Sequence, residues 1–206
     1  MDDPQNTRER ASSYPDLSVE ERRLLPERDE GALAKFFDVY FDRVYGYIRR
    51  LVVAEHLAED LTQDVFMHVY RSLPSYDATR ELRPWVFTIA TNKVRDFWRS
   101  RRHRDAQREK SVEIEGSLDH FAERDDRPES ELVQHEMDVQ VREAIDKLPD
   151  GMRTTVLLRA YEGLSFEAIG EILDRNEVAI RKRYSRALET LRETLGPAYR
   201  VHQEES

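Results

Sequence analysis

The sequence predicts an all-α protein of two small helical domains. Three observations carry that expectation. Apolar residues recur three and four apart through most of the chain, no stretch alternates with the period of a strand, and an acidic, aperiodic segment interrupts the pattern. A length of 206 residues suits one ordinary domain or two small ones. With 36% charged and 39% hydrophobic residues, the chain is polar for one globule and ordinary for helical domains joined by a solvated linker.

Residues 1–16 are polar and aperiodic, and the flexible tail is placed at 1–27, with a short helix after Ser18, which has capping-box spacing to Glu21. The first domain is placed at 28–104. From Glu30 to Val53, Leu33, Phe36, Phe37, Tyr40, Val44, Tyr45, Ile48 and Leu51 form one apolar face of a long helix. A second helix covers Leu57 to Leu73, with Leu61, Val65, Phe66, Val69 and Leu73 inward. "PSYDATRELRP" breaks the period and reads as a loop. Pro84 suits the first turn of a third helix, which runs to about His103 and turns Val86, Ile89, Ala90, Val94 and Phe97 inward. Residues 105–131 then hold ten acidic against four basic side chains, so 105–130 is assigned as a flexible acidic linker. Periodicity returns in the second domain, 131–196. Helices are expected over Leu132–Leu148, Met152–Tyr161, from a Ser165 cap to Leu173, and over Val178–Leu195, with a tail at 197–206.

The composition excludes several classes. There is no cysteine, so neither a disulfide framework nor a thiolate metal site is available, which fits a reducing cytoplasm. The N-terminus lacks the apolar core of a signal peptide, and no apolar run approaches the ~18 residues of a membrane helix. The expectation is a cytoplasmic chain with no membrane insertion. A formal net charge of -9 argues against indiscriminate adhesion to nucleic acid, so any DNA contact comes from local patches or a partner.

One such patch is "TIATNKVRDFWRSRRHR", with six Lys or Arg against one acid, Asp96. On a helix Thr88, Asn92, Arg95, Arg99 and Arg102 share a face opposite Val86, Ala90, Val94 and Phe97. The face is either a solvated basic stripe or a DNA-reading surface. Asn92 favours the second, because asparagine is a poor mid-helix residue. Tyr76 and Trp85 flank the preceding loop, where aromatics either pack or receive unstacked bases; packing is the simpler account of Trp85. In "AEDLTQDVFMHVY", Glu59, Asp60, Gln63 and Asp64 cluster within two turns. They either complement the helix dipole or form a docking face for a basic partner. "SFEAIGEILDRNEVAIRKRYSRALETLRETL" has helix-turn-helix spacing, with Ala168, Ile169 and Ile172 set to pack on Val178, Ile180 and Tyr184. Arg181, Lys182, Arg183 and Arg186 lie in the first half of its second helix, the part that enters a major groove. The turn lacks glycine, leaving Asp174 or Asn176 to take a left-handed conformation.

In this order, "AEDLTQDVF", "RPWVFTIATNKVRDFWR" and "LPDGMRTTVLLRAYEGLSFEAIGEIL…AIRKRYSRALETLRE" resemble the bacterial sigma factors of the extracytoplasmic-function group, within the sigma-70 family. The resemblance covers about 28–104 and 131–196. It implies a sigma2-like bundle and a sigma4-like helix-turn-helix that together direct core RNA polymerase to promoter DNA. It implies that Asp60, Gln63, Asp64 and Phe66, with neighbouring Glu59, dock on the β′ clamp helices, and that the second domain meets the β flap. It places base capture from a melted −10 element in the loop Tyr76–Arg83, which includes Asp77 and is followed by Trp85. It gives −10 reading to Asn92 and −35 contacts to Arg181, Lys182 and Arg186. The acidic linker matches the segment that threads through the polymerase. Members are often held by an anti-sigma protein. Lys182 stands where the family commonly has serine, and Trp98 where a smaller aliphatic is common.

Two other classes compete with this reading. A stand-alone helix-turn-helix regulator leaves the "AEDLTQDVF" and "NKVRDFWR" pair unexplained. An enzyme would need a constellation that is missing: there is no phosphate-binding glycine loop or nucleophile elbow, and Glu131 with His135 is a metal-like pair without a third ligand. No catalytic residue, cofactor or metal is expected.

Overall fold

The computed structural model describes residues 16–52, 54–108 and 139–204, with side chains described over 16–52, 54–101 and 139–196. All regular structure among them is helical. Helix α1 (Val19–Leu24) runs into a 3₁₀ turn at Leu25–Glu27. Then come α2 (Glu30–Arg49), α3 (Glu55–Ser72), which tightens into a 3₁₀ turn at Leu73–Ser75, and α4 (Leu82–Arg108). Residues 139–146 form α5. Helix α6 (Asp150–Val156) widens into a π-helical turn at Leu157–Tyr161, followed by α7 (Phe166–Leu173) and α8 (Glu177–Glu204).

Local chemistry sets the starts. Ser18 and Glu21 complete the capping box on α1, and that bonding holds the Glu21 carboxyl below its usual range. The Asp29 carboxylate accepts the Ala32 N–H at α2, and Ser165 Oγ accepts the Ala168 N–H at α7. Helices α2, α3 and α4 pack around Phe36, Tyr40, Val44, Ile48, Val65, Val69, Val86, Phe87 and Ala90, all essentially buried. Each of the larger of these side chains contributes roughly 1.5–3 kcal/mol of burial.

The structure corrects three expectations. Residues 16–27 are not tail: Leu17 and Leu25 are buried, and Asp16 accepts the Tyr40 hydroxyl at 2.7 Å. Helix α4 extends four residues into the stretch assigned as linker. Helix α8 continues to Glu204, through the expected C-terminal tail. The remainder of the N-terminal tail, the linker from 109 and the pair Glu131 and His135 lie outside the described residues.

The two helical groups are also not held apart. Leu157, Leu158, Leu164, Phe166, Ile169, Ile172, Leu173 and Ile180 of the second join the same buried cluster as the core of the first, and α4 packs on α7. A smaller cluster of Leu148, Val156 and Ala187 closes α6 against α8.

Candidate nucleic-acid interface

Helix α4 carries the basic strip. Its inner side buries Val86, Phe87, Ala90, Thr91 and Val94, and the Thr91 hydroxyl shares a 2.8 Å hydrogen bond with Tyr47. Burial raises the Tyr47 pKa. Asn92 and Arg99 are exposed on the other side, with Arg99 3.3 Å from Asp96. Thr88 is half-buried and donates to the Pro84 carbonyl, so its hydroxyl serves the helix backbone. Arg95 donates to the Ile172 carbonyl at 3.1 Å. Arg102 lies beyond Arg101, the last described side chain of the helix.

The loop before α4 is braced from within. Tyr76, expected at the DNA, is instead a buried ring, 4.8 Å from Trp85, and its hydroxyl donates to the Arg80 carbonyl. Burial raises its pKa. Arg22 of α1 donates to the same carbonyl. Arg83, also expected to face DNA, is buried, 3.5 Å from Asp16. An aromatic ring or guanidinium beside a period-breaking proline serves equally well as core or as contact, and here burial won. Trp85 stays half-buried, and Asp77 is exposed. Hydrogen bonds from the Thr79 hydroxyl and N–H hold the Asp77 carboxyl below its usual range and fix the bend.

Helix α3 presents Glu59, Asp60, Gln63 and Asp64 to solvent, while Phe66 is buried. Asp64 reaches Lys93 of α4 at 3.8 Å, tying the acidic face to the basic helix. The surface beside it holds residues that periodicity misplaced. Phe37, assigned to the inner face of α2, is exposed, as are Phe41 (48%) and Met67. Phe37 stacks on Phe66 at 5.0 Å and Phe41 lies 5.5 Å from it. The signal was the excess of aromatics in "KFFDVYFDRVY", which is more than one stripe can bury.

In the second domain Asp174 takes the left-handed conformation, with φ 52°, and closes the turn between α7 and α8. The Asn176 side chain accepts the Ala179 N–H. Arg181, Lys182 and Arg186 are exposed on α8. Arg181 bonds Glu177 and lies over the Phe166 ring at 4.6 Å. Arg183 is half-buried, and desolvation, more than the nearby charges of Arg175 and Arg95, lowers its pKa. Tyr184 packs on Phe166, but Val178, expected to pack on α7, is 61% exposed at the start of α8. Among the described residues no group of three or more His, Asp or Glu is placed to hold a metal ion.

Comparison with known proteins decides among the readings. Residues 36–104 match the model of Sigma-70 region 2, and residues 138–191 that of Sigma-70, region 4. The ECF RNA polymerase sigma factor SigW of Bacillus subtilis is 31% identical over 178 residues, spanning 81% of this chain and 90% of SigW. The chain belongs to the extracytoplasmic-function sigma factors of the sigma-70 family. The RNA polymerase sigma factor CarQ of Myxococcus xanthus is 35% identical over 81% of this chain and 92% of its own. The sigma factor's fold matches that of RpoE, solved with the anti-sigma factor NepR from Bartonella quintana (TM-score 0.63, 24% identity, 80% of this chain and 96% of that one). It also matches CnrH, solved with the cytosolic domain of CnrY (TM-score 0.62, 20% identity, 88% and 99%). This sigma factor directs promoter-specific transcription initiation and is not an enzyme. No helix among its described residues is long and apolar enough to cross a membrane.

Proposed function

We propose that the sigma factor docks on the β′ clamp helices of core polymerase through Glu59, Asp60, Gln63 and Asp64. The exposed rings of Phe37 and Phe41, set around Phe66, give that face its apolar centre. Acids around an aromatic patch suit a partner helix that is basic at its rim and apolar at its middle. The second domain meets the β flap. Asn92, Arg99 and Arg102 read and hold the −10 element, and the loop with Asp77 and Trp85 receives an extruded base. Arg181, Lys182, Arg183 and Arg186 address the −35 major groove, where the exposed Val178 adds an apolar contact for a thymine methyl. Tyr76 and Arg83 shape the loop from inside. Because NepR was solved on RpoE, an anti-sigma protein is the second partner proposed. The working site is the cytoplasm, where polymerase and promoter are.

The observation that carries this reading is the pairing of α3 and α4. One domain exposes an acidic, aromatic face on α3 and Asn92 with Arg99 on α4, linked by Asp64 and Lys93. The test is multi-round transcription with core polymerase over a random-promoter pool, with transcript starts sequenced. Starts that share a two-block upstream motif are expected, and Asp60→Lys with Asp64→Lys removes them by abolishing polymerase capture. Tight duplex binding without polymerase and no new starts would instead fit a stand-alone regulator.

A further inference from the structure

The short segment before α2 closes over the loop that precedes α4. Helix α1 buries none of its own residues fully. Leu17 before it and Leu25 after it are buried and pin it to the first domain. What α1 itself adds is polar and aimed at one place. Arg22 Nη1 donates to the Arg80 carbonyl at 3.1 Å, and the Tyr76 hydroxyl donates to the same oxygen at 2.7 Å. Two donors occupy both lone pairs of a carbonyl oxygen. The Arg80 N–H in turn donates to the Asp77 carbonyl at 3.0 Å, so this clamp closes the turn on which Asp77 and Thr79 are exposed. The Ser18–Glu21 capping box fixes where the helix starts, and so the direction of Arg22. The flanks of α1 hold the two ends of the same loop. The turn at Leu25–Glu27 packs on the one at Leu73–Ser75, and Arg28 donates to the Tyr70 carbonyl while lying 4.5 Å over the Tyr70 ring. At the other end Asp16 lies 3.5 Å from Arg83.

We propose that the segment 16–28 is a positioning element for promoter opening and that Arg22 is its positioning residue. Through the Arg80 carbonyl, Arg22 sets the shape of the loop that receives the extruded base. The proposal rests on the reading of that loop as the base receiver. The cost of extruding a base must be offset by contacts made where the base lands. Those contacts count most when the receiving loop is ordered beforehand, because ordering it during capture would consume part of the gain. Residues 76–81 lie between two helical segments and contain turns but no helix, so no backbone ladder orders them. Side chains do it instead. Tyr76 supplies one donor from within the loop, and Arg22, 58 positions before Arg80, supplies the other from outside. Arg22 belongs neither to the docking face on α3 nor to the DNA-reading side chains of α4. A residue that only completed the core would move polymerase capture and promoter opening together. One that shapes this loop should change the response to a single −10 base.

The experiment uses the full-length chain with core polymerase on a promoter recovered from the random pool. Non-template −10 positions are made abasic one at a time, and heparin-resistant open complex is measured for each. The unsubstituted chain should lose about tenfold at the captured position, the scale of stacking one base, and much less at its neighbours. Arg22→Met keeps the apolar stem and removes the donors. It should lower opening of the intact promoter and shrink the abasic penalty at that one position to about twofold, because the two losses are coupled. Its capture of polymerase should equal that of the unsubstituted chain. Arg22→Lys returns a donor and should recover part of both effects. Tyr76→Phe removes the other donor on the same carbonyl while keeping the ring, and it gives a second reading should Arg22→Met lose thermal stability. A single-position penalty unchanged in both Arg22→Met and Tyr76→Phe overturns the proposal. So does a loss in Arg22→Met that is equal at every −10 position, or one that Arg22→Lys does not recover. An unsubstituted chain with no position-selective penalty overturns instead the reading of the loop as a base receiver, and the positioning role with it.

Discussion

Asn92 is the residue whose function is least confounded by structure. It is exposed on α4, one position from the buried Thr91 that ties the helix to Tyr47. Asn92→Ala therefore leaves the packing side of α4 intact and removes only an outward donor and acceptor. The expected outcome is a loss of discrimination at one −10 position worth ~1–3 kcal/mol, with polymerase capture unchanged. Transcription over a library varied in the −10 block measures it; an equal loss at every promoter sequence would be inconsistent with base reading. The spacing of Asn92 and Arg99 makes that face legible from the sequence, because a helix periodicity converts sequence offset directly into direction. Tyr76 and Arg83 are not legible in this way. They lie where the period breaks, and only the arrival of Arg22 and Asp16 from the N-terminal segment determines that both are inside.

At the scale of the element, the turn between α7 and α8 sets the geometry of the proposed −35 contacts. Gly170 is required there by proximity: a Cβ would stand 2.6 Å from the Arg175 carbonyl oxygen, which is backbone and cannot swing aside. Its own carbonyl accepts the Arg175 N–H at 2.9 Å. Gly170→Val should force the two helices apart and destabilise the second domain by ~1–3 kcal/mol, the range for overpacking. A thermal melt reads the loss, and a −35 duplex competition on the holoenzyme should fall further than a −10 one. Sequence spacing identifies both helices and the Ser165 cap, and it leaves the left-handed residue open between Asp174 and Asn176. Asp174 takes it, while the Asn176 side chain caps α8. The π-helical turn is invisible to spacing, since one extra residue in a turn leaves no compositional mark.

At the scale of the whole molecule, charge and shape work together. With a net charge of -9 and part of its basic surface turned inward, the free sigma factor should bind random duplex no more tightly than ~10⁻⁴ M at physiological salt, the weak end of non-specific binding. The holoenzyme should bind promoter tightly, with a steep fall as salt is raised. Titrations of fluorescent duplex at several salt concentrations compare the two. Strong, salt-sensitive binding by the free chain would mean that its basic helices are already available, and that its net acidity does not restrain them.

By itself the sequence determined the all-helical class, the two domains, the order of the motifs and part of the outward faces of α3, α4 and α8, Asn92 and Arg99 among them. Each of these follows from local periodicity, capping chemistry and charge, which neighbouring residues are enough to specify. Tertiary structure decided which of the surplus aromatics stay outside, so that Phe37 and Phe41 lie on the surface beside Phe66. It decided that residues 16–27 belong to the first domain and that Arg43 meets Glu162, a partner 119 positions away. No local rule reaches that far. Such contacts depend on how two independently patterned units come to share one buried surface, and that is settled by packing rather than by spacing.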